Sequence, residues 1–429
     1  MKRVVAVIVS LLLSLAAYSQ TGTWSGKVDV QGTSLSIVFH IEETGCTFDS
    51  PDQGARGIPA EASLSDLGKV VIKVPSIGAT YEGLWLGGRI VGSLSQSGSS
   101  FPLTLVPGEP ELKRPQTPVG PFPYSCEEVS FSNGDAVLKG TLVLPEGYTR
   151  DTPAVIMVTG SGLQNRDEEI FEHKPFAVIA DALARNGIAS LRYDDRGFGE
   201  STGDAVFCTT ADLKDDALAG IGLLRGRFGK VGVIGHSEGG TIALMIAAEG
   251  KADFIVSLAG MVVSGKELLL WQNRSILASS GLDPESVAVY CKLLEEAFDA
   301  TLAGLPLPSA DGKDLPEALV RNYQATAMQL KSPYLRYFIG LDARKSLELI
   351  SCPVLALNGT KDTQVEHESN LGALKAGLPS AVAARIEAVE GVNHLFQHCS
   401  TGAATEYREI EETFASEVLG LIVVWIRGL

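Results

Sequence analysis

One feature constrains this chain more than any other: an apolar strand pattern that runs straight into a glycine-flanked serine and then into a small-residue helix. Val231-Gly232-Val233-Ile234 leads to Gly235-His236-Ser237-Glu238-Gly239-Gly240, followed by a stretch over 241–249 rich in Ala, Leu and Ile. A G-x-S-x-G run alone is a weak pattern. Set between a strand and a helix, it describes a sharp turn whose backbone is strained at the serine and whose small neighbours let the chain pass close by. The same rhythm surrounds it. Strands are predicted over 137–144, 154–159, 188–193, 230–235, 254–259, 353–358 and 384–389, and helices over 174–186, 211–227, 241–249 and 405–427. Apolar strands alternating with helices predict a mostly parallel sheet covered on both faces.

One stretch breaks the alternation. Residues 262–345 separate two sheet strands and read as helices with loops, including 285–301 and 317–330. That is longer than a connection requires, so it is expected to be a helical cap over the site, with a structural side domain as the other reading. Before residue 107 the period is different. Leu35, Ile37, Phe39 and Ile41 alternate, further short strands are predicted over 69–74, 81–85, 89–94 and 101–106, and Gly87-Gly88 marks a hairpin. Residues 20–106 are therefore expected to be a small all-β domain, either barrel or sandwich. The prolines at 107, 110, 115, 118, 121 and 123 predict a semi-rigid linker over 107–123, and the strand–helix domain occupies 124–429.

The first residues carry an export pattern. Lys2 and Arg3 precede an apolar run over 4–15 and the small-x-small site Ala17-Tyr18-Ser19. This predicts a signal peptide over 1–19, cleaved to leave Gln20, and a periplasmic or secreted protein. The run is shorter than the about 20 residues of a membrane span, so no stable membrane insertion is expected after cleavage. The first cysteine is Cys46, too far away for a lipoprotein anchor. An oxidising compartment permits disulfides among Cys46, Cys126, Cys208, Cys291, Cys352 and Cys399, but their spacing selects no pairing and contains no zinc pattern. Buried free thiols are the alternative.

A serine hydroxyl needs a general base, and the base needs a carboxylate to orient it. In this fold class they follow in the order serine, acid, histidine. Asp362 comes just after the strand at 353–358, and His394 just after the last strand. Both therefore fall at the carboxyl edge of the sheet, with the serine turn, where ligands of open α/β sheets gather. His398 lies farther from its strand end, His367 precedes the last strand, and His236 adjoins the serine with its ring directed into the fold. His40 belongs to the β domain and His173 precedes a helix. Glu366 is the rival acid. The reading is thus Ser237 as nucleophile, His394 as base and Asp362 as the orienting acid. A developing oxyanion needs backbone N–H donors. Glu238 is expected to supply one, and Ser161 or Gly162, in the loop Gly160-Ser161-Gly162-Leu163, the other.

Two charged runs remain, Asn165-Arg166-Asp167-Glu168 and Asp194-Asp195-Arg196-Gly197-Phe198-Gly199-Glu200-Ser201. They are expected to pair with each other and fix the loops of the site. Together with Arg192-Tyr193, the serine turn, Asp362 and Asn393-His394, they make residues 125–429 resemble bacterial α/β-hydrolases of the serine aminopeptidase/lysophospholipase-like group, and within it carboxylesterases of the EstD type. The β domain is similar to the amino-terminal module of such exported hydrolases. The resemblance implies an α/β-hydrolase fold, hydrolysis of short-chain carboxylic esters through an acyl-enzyme, and no metal or organic cofactor. Peptidases share the group, but Glu238 stands where many prolyl peptidases of this fold carry an aromatic residue. A serine peptidase is the second reading, and a non-catalytic binding protein on the same scaffold a third.

The net charge of −16 over 429 residues argues against nucleic acid and anionic membrane as partners. The expected partner is a small-molecule ester, with acylated glycans among the candidates. No pattern sets an oligomeric state.

Overall fold

The computed structural model describes residues 21–30, 33–42, 44–53, 55–65, 68–109, 112–279 and 281–429. The signal peptide expected over 1–19 lies outside them. The described residues form two compact units, one before residue 110 and one over 112–429.

The first unit is an antiparallel meander closed into a barrel: β1 (Gly22–Val30), β2 (Thr33–Ile41), β3 (Cys46–Ser50), β4 (Ala55–Leu64), β5 (Lys69–Val74), β6 (Ala79–Leu86), β7 (Arg89–Gln96) and β8 (Ser99–Pro107). Closure comes from β1 pairing β8, with Ser25 opposite Val106. Alternate residues fill the interior, among them Ile37, Phe39, Ile41, Val70, Ile72, Tyr81, Ile90 and Leu105. The Tyr81 hydroxyl donates to the Ile90 and Leu103 carbonyls inside the barrel. Gly87 and Gly88 both take positive φ, 60° and 86°, as the two-residue turn between β6 and β7 demands.

The second unit carries an eight-stranded sheet of β9 (Ser125–Asn133), β10 (Ala136–Leu144), β11 (Ala154–Val158), β12 (Ala189–Tyr193), β13 (Val231–His236), β14 (Ile255–Leu258), β15 (Val354–Gly359) and β16 (Ala384–Val389). Its spatial order is β16-β15-β14-β13-β11-β12-β10-β9. From β12 to β16 every pairing is parallel, and β10 alone runs against its neighbours. This is the α/β-hydrolase arrangement. On one face α2 (Thr210–Arg225), α3 (Glu238–Ala248) and α8 (His367–Gly377) bury apolar residues against the strands; on the other, α1 (Pro175–Arg185) and α9 (Ser416–Arg427) do so.

The inserted stretch is helical: α4 (Gly265–Ser279), α5 (Pro284–Ala303), α6 (Glu317–Gln329) and α7 (Pro333–Gly340) join β14 to β15. They share a core of their own around Tyr290, Leu294, Phe298, Leu319 and Ile339. Two expectations are corrected. The carboxyl-terminal helix begins at Ser416 rather than 405. Gln116 Oε1 takes the N–H groups of Thr413 and Phe414, and the Ala415 N–H goes to the Phe396 carbonyl, so these donors are withdrawn from any helix. The proline-rich stretch from 112 onward packs with the second unit. The Arg114 guanidinium donates to the carbonyls of Phe171, Arg408 and Ile410.

Candidate active site

The serine turn is built by close backbone approach. Ser237 follows β13 and precedes α3 at φ 53° and ψ −120°, a conformation that costs a non-glycine residue free energy and persists only where surrounding packing enforces it. Its N–H donates to the Leu258 carbonyl, and its own carbonyl accepts from the Gly240 and Thr241 N–H groups. A Cβ on Gly235 would stand 1.9 Å from the Gly239 carbonyl oxygen, and one on Gly239 would stand 2.0 Å from that of Val158. Only glycine fits at either position.

His394 lies in the loop after β16. Asn393 braces that loop, its Oδ1 accepting the N–H groups of Leu395 and Gln397. His394 Nδ1 is 2.8 Å from Asp362 Oδ2, and both residues are buried. The other Asp362 oxygen accepts the N–H groups of Gln364 at 2.7 Å and Val365 at 2.8 Å. The carboxylate can only accept, so Nδ1 carries the proton and Nε2 is left basic. The rivals stand elsewhere. His398 is exposed and paired with Glu412 and Glu417, while Glu366 caps α8 through the Ser369 N–H.

Ser237 and His394 line one cavity of about 340 Å³ with Gly160, Ser161, Glu238 and Tyr334. Gly160 packs against the serine side chain; a Cβ there would lie 3.1 Å from Ser237 Cβ. Glu238 opens α3, so its N–H has no partner within the helix and stands next to the serine. Of the two open candidates for the second N–H donor, Ser161 lines the cavity. Gly162 is exposed at φ 89° and does not. The cap supplies the apolar wall, with Leu268 and Leu269 from α4 and Leu335 and Phe338 from α7.

Sequence reasoning passed over a second layer. His236 is buried between Glu168 Oε1, 2.9 Å from its Nδ1, and the His394 carbonyl, 2.9 Å from its Nε2. Glu168 Oε1 also accepts the Gly160 N–H at 2.8 Å. Glu168 thereby ties the loop after β11 to the serine turn, and the His236 ring ties the turn to the histidine loop. Burial works against a charged His236 ring, but the charge and hydrogen bond of Glu168 outweigh it and hold the ring above its ordinary value. The two charged runs do pair. Arg166 chelates Asp194 through Nε at 3.1 Å and a terminal nitrogen at 2.9 Å, and Arg192 binds Asp167. Arg196 grips Asp216 at 2.6 and 2.7 Å. Asp195 is fully enclosed; burial pushes its carboxyl up to about 7 although the Gln164 N–H and the Thr159 hydroxyl bind it. All six cysteines are free thiols.

Over residues 133–376 the sequence matches the family described as X-Pro dipeptidyl-peptidase (S15 family), which is more than half of its length. The chain belongs to that family. It is also 32% identical over 226 residues to esterase EstD of Thermotoga maritima, an alignment that takes in 51% of this chain and 53% of that one. The chain thus spans about half the length of the curated relative it matches, and the resemblance to EstD-type enzymes is borne out. Among solved structures, the proline iminopeptidase of Mycobacterium smegmatis aligns with 70% of this chain and 98% of its own, at 16% identity and a TM-score of 0.45. Est1E of Butyrivibrio proteoclasticus with ferulic acid bound aligns with 70% of this chain and 96% of its own, at 17% identity and a TM-score of 0.41.

Proposed function

We propose that this chain is an exported serine carboxylic-ester hydrolase that works through an acyl-enzyme on Ser237. The observation that carries the reading is the Asp362–His394 pair, locked at 2.8 Å, opening on the same cavity as a serine held at a strained turn. His394 Nε2 takes the Ser237 proton as the hydroxyl attacks the ester carbonyl. The Glu238 N–H and a donor at Ser161 receive the oxyanion, and the same imidazole protonates the departing alcohol. Water then repeats the sequence on the acyl-enzyme. Export is supported by the pattern over residues 2–19.

The family name points to peptides and the curated relative to esters, and the lining of the cavity favours esters. A peptidase that binds a free amino terminus needs a carboxylate to receive the ammonium. The two glutamates lining the cavity are already engaged by the protein's own donors: Glu168 by Gly160 and His236, Glu238 by Thr210 and Tyr334. The cap wall is mostly apolar, with Gln272 and Tyr334 as its polar members. At about 340 Å³ the cavity sits at the low end of the roughly 300–1,000 Å³ of small-molecule sites, which suits a short acyl chain. The test compares p-nitrophenyl acetate, butyrate and octanoate with aminoacyl- and prolyl-nitroanilides. Ester turnover is expected to dominate, to favour the short chains, and to vanish in Ser237→Ala. Nitroanilide kcat/KM above that of the esters would overturn the ester reading.

A further inference from the structure

The Glu238 side chain is buried although its residue opens a helix at the rim of the cavity. Its two oxygens are shared between separate elements. Oε1 accepts the hydroxyl of Thr210, the first residue of α2, at 2.6 Å, and Oε2 accepts the hydroxyl of Tyr334, in the first turn of the cap helix α7. The carboxylate therefore lies at the amino ends of α2 and α3, where helix dipoles favour a negative charge. Tyr334 lines the cavity beside Ser161. Burial drives its hydroxyl far above the ordinary range, Glu238 adds to this, and the Ser161 hydroxyl acts in the opposite sense, so the ring senses both loops expected to carry the oxyanion donors.

Resting on the ester-hydrolase reading above, we infer that Tyr334 is a positioning residue: by donating to Glu238 it makes the seating of the cap set the oxyanion site. The geometry is direct. The Glu238 N–H is the expected donor, and its own side chain is what the cap holds. A phenol that donates its proton to a carboxylate cannot also donate to a substrate oxyanion, so Tyr334 acts through Glu238 rather than on the reacting atoms. Thr210 alone would leave Oε2 without a donor in a buried place, and the first turn of α3 would have to shift to relieve it.

The inference predicts a loss in the chemical step with little change in binding. Removing an oxyanion donor outright costs about 10²–10³ in kcat, and misplacing one costs less. Tyr334→Phe is expected to lower kcat for p-nitrophenyl butyrate roughly tenfold with KM within about twofold, and to weaken a trifluoromethyl ketone that forms the tetrahedral adduct by a similar factor. Glu238→Gln keeps an acceptor for one of the two hydroxyls and is expected to fall between wild type and Glu238→Ala. Combining Tyr334→Phe with Glu238→Ala is expected to cost little beyond Glu238→Ala alone, because both remove the same bond, and it is the loss in kcat at unchanged KM that a merely loosened cap would not produce. Melting curves identify any variant that fails to fold, and the Gln variant then carries the comparison. Unchanged kcat in Tyr334→Phe, a loss confined to KM, or additive losses in the double variant would each overturn the inference. Wild-type protein inert toward every ester would instead overturn the reading on which it rests.

Discussion

Asp362→Asn is the substitution whose outcome the structure determines most closely. Asp362 Oδ1 is occupied by the N–H groups of Gln364 and Val365, and Oδ2 by His394 Nδ1. An asparagine here has two orientations. With its oxygen toward the backbone, both N–H groups stay satisfied, and the amide nitrogen points at His394. With its oxygen toward His394, two buried N–H donors lose their acceptor, at about 1–3 kcal/mol each. The first orientation wins. It presents N–H to Nδ1, so the imidazole must carry its proton on Nε2, where it cannot accept the Ser237 proton. The wrong tautomer costs a Ser-His-Asp enzyme about 10⁴ in kcat, or about 5 kcal/mol at 1.36 kcal/mol per decade. Folding changes little, because the backbone donors keep their partner. The assay is initial-rate hydrolysis of p-nitrophenyl butyrate at pH 7.5, with a melting curve on the same sample. A kcat within tenfold of wild type in a normally melting protein would refute the argument, since His394 would then not depend on Asp362 for its tautomer.

Three further outcomes follow from the same geometry. Gly239→Ala places a Cβ 2.0 Å from the Val158 oxygen and 2.6 Å from that of Thr159. It is expected to destabilise the second unit by more than about 3 kcal/mol, seen as a fall in Tm of at least about 6 °C at roughly 2 °C per kcal/mol; an unshifted melt would contradict the close approach. Asp195 titrates near 7 in the folded chain against about 3.9 unfolded. Its folded value is raised, so its contribution is complete below about pH 4 and is lost as pH rises toward 7. The stability difference between wild type and Asp195→Asn, from urea titrations at pH 4 to 8, is expected to move against wild type by a few kcal/mol across that window, and a flat difference would contradict it. His236 is also raised, so its pairing with Glu168 stabilises fully below its unfolded value near 6.5 and fades as pH rises through its folded value. Glu168→Gln is expected to narrow its stability gap to wild type on the alkaline side, and a gap that widens there would reverse the assigned sign.

Much of the site was legible because each part carries a local signature. Ser237 sits between an apolar strand and an Ala-rich helix, and Asp362 and His394 each follow a strand, so the sheet itself brings them to one edge. What the sequence did not disclose has no local signature. β9 is an edge strand with most of its side chains exposed, so it shows no apolar alternation. The turn toward α9 is decided by Gln116, some 297 residues away along the chain. Gly162 and Ser161 read alike as loop residues, and only the path of the backbone puts Ser161 at the cavity. Glu168 and His236 looked like members of charged or glycine-rich runs, yet their contact spans 68 residues. Tyr334 belongs to a cap helix whose relation to the serine turn is purely tertiary.

The central claim is that Ser237 is the nucleophile and is acylated during turnover. Treating the folded protein with a fluorophosphonate, or quenching it during turnover of p-nitrophenyl butyrate, and mapping the added mass by peptide sequencing tests it directly. The account predicts one adduct per chain, on Ser237, absent in Ser237→Ala and strongly slowed in Asp362→Asn. An adduct on any other residue, or ester turnover that persists in Ser237→Ala, would contradict it.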